Sequence, residues 1–140
     1  FFSLCTRCDA CVEACHQEVI LRADGRLGIH IGTPYLDVQN HRPCYLCLTP
    51  PCAAACPTGA LIPISQADIH LGTAELITDT CLAWNAKPCT RCSAICPIPG
   101  AILTADDGRV IIDPDLCVGC GMCVHACPTD PPSLRILPNL

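Results

Sequence analysis

The sequence predicts a small, loop-rich α+β fold of two halves, with short strands and hairpins set between short helices. Three observations predict it. The chain has 140 residues, of which 16 are cysteine, a density at which composition alone signals a cysteine-built scaffold. Those cysteines fall into four groups of four, separated by 28, 24 and 20 residues, none of which reads as a flexible linker. Leu, Ile, Val and Phe together number only 36, enough for one or two thin cores, and small domains with thin cores need covalent or metal staples. The 14 prolines do not spell disorder at 51% hydrophobic residues. A net charge of -5 leaves no basic footprint, so no nucleic-acid partner is expected. No run approaches the roughly 18 to 20 apolar residues of a membrane helix, so no transmembrane segment is expected either.

The elements follow in chain order. Cys5, Cys8, Cys11 and Cys15 are spaced C-x2-C-x2-C-x3-C, with residues 12–15 a suitable short helical start. Residues 19–29 look like a hairpin around the Asp24-Gly25 turn. The second group, Cys44, Cys47, Cys52 and Cys56, reads C-x2-C-x4-C-x3-C. Residues 59–64 and 75–78 are read as two short strands in the same role, with a longer excursion between them. Cys81, Cys89, Cys92 and Cys96 form the third group, with a seven-residue first gap, and residues 101–112 repeat the hairpin around Asp107-Gly108. Cys117, Cys120, Cys123 and Cys127 return to C-x2-C-x2-C-x3-C, with residues 124–127 as the helical counterpart. Pro57, Pro97 and Pro128 follow the last cysteine of three groups and stop the helical turn; His16 stands there in the first.

Disulfides, zinc and iron–sulfur clusters compete for such a pattern. Cysteines three apart in tight loops are poorly placed to bridge one another. Zinc sites want two separated C-x2-C knuckles, each giving two ligands to a tetrahedron. A [4Fe–4S] cube needs four thiolates, three of them from a loop that curls round one face. C-x2-C-x2-C-x3-C-P is the run in which the fourth cysteine serves the other cluster of a two-cluster ferredoxin. The reading is four [4Fe–4S] clusters with all sixteen cysteines as ligands, in two ferredoxin-like halves. Each site would carry about -2 when oxidised, yet only Arg7, Arg91, Lys87 and Arg42 stand near the motifs as cations. Backbone N–H groups must therefore supply much of the compensation, and Gly119 and Gly121 are placed to let the backbone close on a cluster. Spacing alone leaves the pairing open: the first motif with the second, residues 1–64 and 65–140, or a nested scheme.

At this point the residues resemble a known family. The order of the motifs, the x4 gap in the second, the long first gap in the third, residues 32–35, residues 51–60 and the Cys81-Leu82 pair are similar to the MauM/NapG ferredoxin-type proteins, over nearly the whole chain. The resemblance implies an accessory electron carrier rather than an enzyme. Its partners would be other subunits of a redox complex, namely a membrane quinol oxidase and a catalytic oxidoreductase. It also implies nested pairing, as in wider four-cluster relatives. An outer half (1–36 with 100–140) would hold one cluster on Cys5, Cys8, Cys11 and Cys127 and another on Cys117, Cys120, Cys123 and Cys15. An inner half (37–99) would hold a third on Cys44, Cys47, Cys52 and Cys96 and a fourth on Cys81, Cys89, Cys92 and Cys56. The family begins with a twin-arginine export signal, whereas this sequence starts four residues before Cys5. The expectation is a processed or truncated chain, peripheral to the membrane in the periplasm, with the cytoplasm as the alternative.

The remaining chemistry-bearing residues carry less. With four thiolates per cube, His16, His30, His41, His70 and His125 are read as surface or loop residues, His16 and His125 being the two close enough to a motif to tune a potential. Trp84, Tyr35 and Tyr45 are read as packing. Asp106-Asp107 is a turn, Asp113 and Asp115 precede the fourth motif, and neither pair suits acid–base work. No nucleotide, flavin or hydrolase motif occurs. The leading function is therefore an electron-relay subunit. Its rivals are a maturation ferredoxin that delivers electrons or clusters to an apoenzyme, and a catalytic site with one incompletely ligated iron.

Overall fold

Four cysteine-bearing α-helices, each only four or five residues long, two 3-10 turns and three two-stranded ribbons make up the secondary structure of the described residues, 1–28 and 30–138, in the computed structural model. The chain divides into two compact units, Phe1–Ile69 and His70–Leu140. The units follow chain order, whereas the resemblance implies 37–99 nested inside 1–36 and 100–140. The helices of the first and second motifs pack on each other, as do those of the third and fourth. Each motif thus buries its apolar face against its neighbour in sequence.

In the first unit, α1 (Ala10–Ala14) carries Cys11 on its buried face and ends where Cys15 turns extended. Strand β1 (Ile20–Arg22) follows, and Ile20 and Val19 are buried beneath it. Its partner is β2 (Pro34–Leu36), with Ile20 opposite Leu36 and Arg22 opposite Pro34. The hairpin expected over residues 19–29 therefore closes later, and Ile29 itself lies outside the described residues. The Asp24 carboxylate accepts the Arg26 N–H at 3.1 Å, which turns the chain locally without bringing a strand back. The ribbon closes instead through Ala23 N–H to Thr33 O at 2.9 Å and Gly32 N–H to Ala23 O at 2.8 Å. Pro34 is tolerated because it begins the strand. Helix α2 (Pro51–Ala54) has proline in its first turn and buries Ala53. A single 3-10 turn over Gln66–Asp68 closes the unit, with Gln66 Nε2 donating to Leu46 O at 2.6 Å.

Residues 59–64 do not form the expected strand. Ile62 is 71% exposed, Pro63 offers no N–H, and the Leu61 N–H points at the Cys56 sulfur rather than at a ladder. In the second unit the expected strand over 75–78 starts earlier, as β3 (Gly72–Leu76), a shift forced by its partner. Helix α3 (Arg91–Ile95) comes next, then β4 (Ile102–Thr104) and β5 (Val110–Ile112), paired Ile102 to Ile112 as the hairpin of residues 101–112 predicts. Helix α4 (Met122–Ala126) follows, and β6 (Leu134–Pro138) returns to β3, with Leu134 opposite Leu76 and Gly72 opposite Pro138. The sequence reading did not assign β6. Ala74, Ala83, Ile102, Val110, Val124 and Leu134 form the core together with Cys81, Cys92 and Cys123. Trp84 packs at its edge, donating Nε1–H to Val110 O at 2.9 Å beneath the Arg109 guanidinium.

Candidate metal centres

The first, third and fourth motifs present three thiols on a loop and helix start and send the fourth elsewhere, because the residue after the helix turns extended. Cys15, Cys96 and Cys127 all sit in that extended conformation as C-caps. In the first unit Cys5, Cys8 and Cys11 line one recess together with Cys56, Thr58, Leu61 and Pro34. The Cys44 thiol couples electrostatically with Cys47 and Cys15, and the Cys52 thiol with Cys15 and Cys44. In the second unit Cys81, Cys89 and Cys92 share a recess with Cys127, and Cys117, Cys120 and Cys123 share one with Cys96. The three recesses are lined by four thiols each and are partly open to solvent. Among the described residues, no three His, Cys, Asp or Glu converge tightly enough to grip a lone metal ion. The thiols line a volume rather than meeting at a point, which suits a cube and not zinc.

The loops reach this shape through left-handed backbone. In the fourth motif Gly119 and Gly121 have φ of 68° and 83°. In the first, the matching positions are Arg7 at 57° and Asp9 at 66°. Asp9 is held by Arg22 at 2.8 Å. A Cβ on Gly119 would stand 2.5 Å from the Gly72 carbonyl carbon, so there glycine is obligatory.

The thiols fall into two electrostatic kinds. Burial pushes Cys123 up to about 12, helped by the like charges of Cys120, Cys117, Cys92 and Cys96. Burial likewise takes Cys92 to about 11 and raises Cys11, Cys44, Cys52 and Cys96. Cys56 goes the other way, to about 7, drawn down by the Leu61 N–H at 3.4 Å and the Thr58 hydroxyl at 3.7 Å. Burial works against ionisation of Cys127, yet the Thr129 hydroxyl and the N–H groups of Thr129 and Ser133 hold it below the ordinary thiol value. Cys117 receives the Ala74 N–H at 3.3 Å. Backbone N–H donors to sulfur are expected from the charge count, but which groups reach which thiol is not named from sequence; the signal that marks two of the sites is the repeated Cys-Pro-Thr run at Cys56 and Cys127.

All five histidines are exposed, and His41 is engaged with Glu18 O at 2.9 Å. Arg42 pairs with the Glu18 carboxylate at 2.9 Å rather than with a thiol. Asp113 caps its own loop by accepting the Asp115 N–H at 2.9 Å, and the Arg109 N–H is held by Asp107 at 3.0 Å.

Comparison with known proteins agrees with this geometry. The 4Fe-4S dicluster domain matches residues 4–60, within the first unit, and the 4Fe-4S binding domain matches residues 110–133, within the second. The methylamine utilization ferredoxin-type protein MauM of Methylorubrum extorquens is 36% identical over 152 residues, covering 99% of this chain and 68% of that protein. The chain belongs to the MauM/NapG family of ferredoxin-type proteins. MauM of Paracoccus denitrificans is 36% identical, over 99% of this chain and 66% of that protein. Ferredoxin-type protein NapG of Escherichia coli is 34% identical, over 99% and 65%. This MauM/NapG chain thus spans about two thirds of the length of such relatives.

A ferredoxin-type protein is an iron–sulfur electron carrier, and the residues here fit 4Fe-4S clusters. The donors are thiols in sets of four with N–H and hydroxyl groups aimed at sulfur. Thr33 adds a buried hydroxyl without a protein partner, one residue from Pro34 on the wall of the Cys5 recess. When bound, the clusters supply one-electron storage. The protein's part would be to supply the thiolates, to shield the buried Cys92 and Cys123 from water, and to offset negative charge with N–H groups directed at sulfur. No helix among the described residues is long and apolar enough to cross a membrane.

Proposed function

We propose that this chain is an electron-relay subunit carrying four [4Fe–4S] clusters, two in each unit. The ligand sets are Cys5, Cys8, Cys11 and Cys56; Cys44, Cys47, Cys52 and Cys15; Cys81, Cys89, Cys92 and Cys127; and Cys117, Cys120, Cys123 and Cys96. It passes electrons between a membrane quinol-oxidising partner and a catalytic oxidoreductase, at the periplasmic face of the membrane. The observation that carries this reading is the grouping of twelve thiols into three recesses of four, with Cys44 and Cys52 coupled to Cys15 beside them. Exposed apolar side chains such as Leu48, Ile62 and Phe2 support a chain whose surface is covered by partner subunits. The family resemblance supports the identity of those partners and the compartment.

Iron, acid-labile sulfide and zinc measured per chain on anaerobically purified protein test the cluster count. About 16 iron and 16 sulfide with negligible zinc is the expected result. About 12 iron would mean one incomplete site and favour a catalytic or assembly role. Co-purification with a quinol-oxidising membrane subunit, and reduction of the clusters by quinol only in its presence, tests the relay.

A further inference from the structure

Ser133 is 1% exposed and bonded on both sides. Its hydroxyl receives the Thr80 O–H at 2.9 Å and lies 2.8 Å from Thr129 Oγ1. Thr129 Oγ1 is in turn 3.1 Å from Cys127 Sγ. The Ser133 backbone N–H reaches Thr129 Oγ1 at 2.9 Å and Cys127 Sγ at 3.3 Å. A ligating cysteine is a thiolate and can only accept. The Thr129 hydroxyl must therefore donate to sulfur, which leaves its oxygen to accept from Ser133, and that of Ser133 to accept from Thr80. Thr80 has an alternative acceptor in Ile77 O, but at 3.4 Å. The three hydroxyls have one consistent orientation, running from the surface inward with every O–H pointed toward the Cys127 sulfur.

We propose that this hydroxyl chain makes Thr129 a potential-setting residue, raising the reduction potential of the cluster held by Cys81, Cys89, Cys92 and Cys127. The inference rests on the ligand sets proposed above. Reduction adds one electron, supplied by the quinol-oxidising donor, and takes the four-thiolate site from about -2 to about -3. No covalent bond breaks and no proton moves; the hydroxyl hydrogens stay on oxygen. Dipoles aimed at sulfur favour the more negative state. Hydroxyls in series polarise one another, and the burial of Ser133 and Leu134 keeps the local dielectric low. The first unit holds a weaker version: Cys56 has the same Cys-Pro-Thr run, but the Thr58 hydroxyl stands 3.7 Å away.

The test is an EPR-monitored redox titration of the full, cluster-loaded chain, with iron and sulfide counted for every variant. Thr129→Val keeps the shape and removes the donor. It should lower the reduction equilibrium constant of one cluster about tenfold, which is about 59 mV for a one-electron couple. Ser133→Ala should move the same signal less, since its N–H remains, and Thr129→Ser should restore the wild-type value. Thr58→Val should move a different signal, and by less. Unchanged potentials in a Thr129→Val chain of full iron content would overturn the proposal. Should that variant lose iron, an unshifted Ser133→Ala chain would overturn it instead. Cys127→Ser and Cys89→Ser separate this inference from the reading beneath it. If they perturb different signals, the ligand set fails, and the hydroxyl chain must then show its shift on the signal that Cys127 marks.

Discussion

The first and fourth motifs share one spacing but solve the same backbone problem with different residues. Two positions in each loop need a left-handed φ, which glycine adopts freely and other residues at about 1–2 kcal/mol. The fourth motif uses Gly119 and Gly121; the first uses Arg7 and Asp9. At Gly119 the cost is steric as well, because the Gly72 backbone stands 2.5 Å from where a Cβ would be. Gly119→Ala should therefore lower the melting temperature of the second unit by at least about 10 °C, from about 2 kcal/mol or more at this size. Arg7→Gly should be close to neutral, since relief of strain offsets the added freedom of the unfolded chain. Differential scanning calorimetry on both variants checks the pair, and equal losses would refute the reading. The thiols carry a second prediction at this scale. With Cys123 up at about 12 and Cys92 at about 11, both are protonated at neutral pH before a cluster binds, and both must ionise to ligate. Each then releases a proton on loading, so affinity rises tenfold per pH unit for each of them as long as pH stays below those values. Cys56, at about 7, adds no such slope above neutrality. Chelator competition at pH 7 and pH 8 should thus show second-unit affinity climbing as pH rises. A flat profile would refute it.

Among the elements, the ribbon of β4 and β5 was the most legible, because an Asp-Gly turn sits between two short apolar runs with nothing else for them to pair with. Its twin in the first unit was legible only as to β1. There Asp24-Gly25 opens a loop that runs on to Gly32, and the return strand starts with Pro34, a residue that argues against a strand in any local reading. Strand β6 was not legible at all, since its pairing with β3 spans some sixty residues and no periodicity in either segment announces a distant partner. Yet β6 is central to the second unit. Leu134 is 2% exposed within the core, Glu75 and Arg135 form a cross-strand ion pair, and the Ser133 N–H at the head of the strand reaches Cys127. The ion pair is solvated and worth at most about 1 kcal/mol, so the apolar contact dominates. Leu134→Ala should cost about 2–5 kcal/mol and make the clusters of the second unit labile. Ending the chain after Pro132 should remove them altogether, taking iron from about 16 to about 8 per chain. A truncated chain that keeps all its iron would show that β6 is dispensable.

At the scale of the whole molecule, the pairing of motifs decides where electrons can reside, and the cysteine spacing is silent about it. The first and fourth motifs present the same x2, x2, x3 run, so the fourth cysteine of either satisfies the other on paper. What distinguishes the schemes is the packing of one short helix on the next. Cys11 on α1 and Ala53 on α2 are buried within Phe1–Ile69, and Cys92 on α3 and Cys123 on α4 within His70–Leu140. That information lies in which small apolar faces fit together, which no single stretch of sequence displays. Under the proposed chain-order pairing each unit would be a self-contained two-cluster body, and this has a direct consequence for ligand substitution. Cys15→Ser should disturb only the cluster of Cys44, Cys47 and Cys52, lowering iron to about 12 or leaving a 3Fe signal there, while the EPR signals of the second unit stay as in the wild type. Under nesting the same substitution would strike the cluster of Cys117, Cys120 and Cys123. Cys44→Ser and Cys117→Ser supply the reference spectra, so a Cys15→Ser spectrum matching the loss in Cys117→Ser would establish nesting and dissolve the two-unit reading. A match to Cys44→Ser would mean that each half keeps its clusters independently of damage to the other, as a relay built from two two-cluster bodies requires.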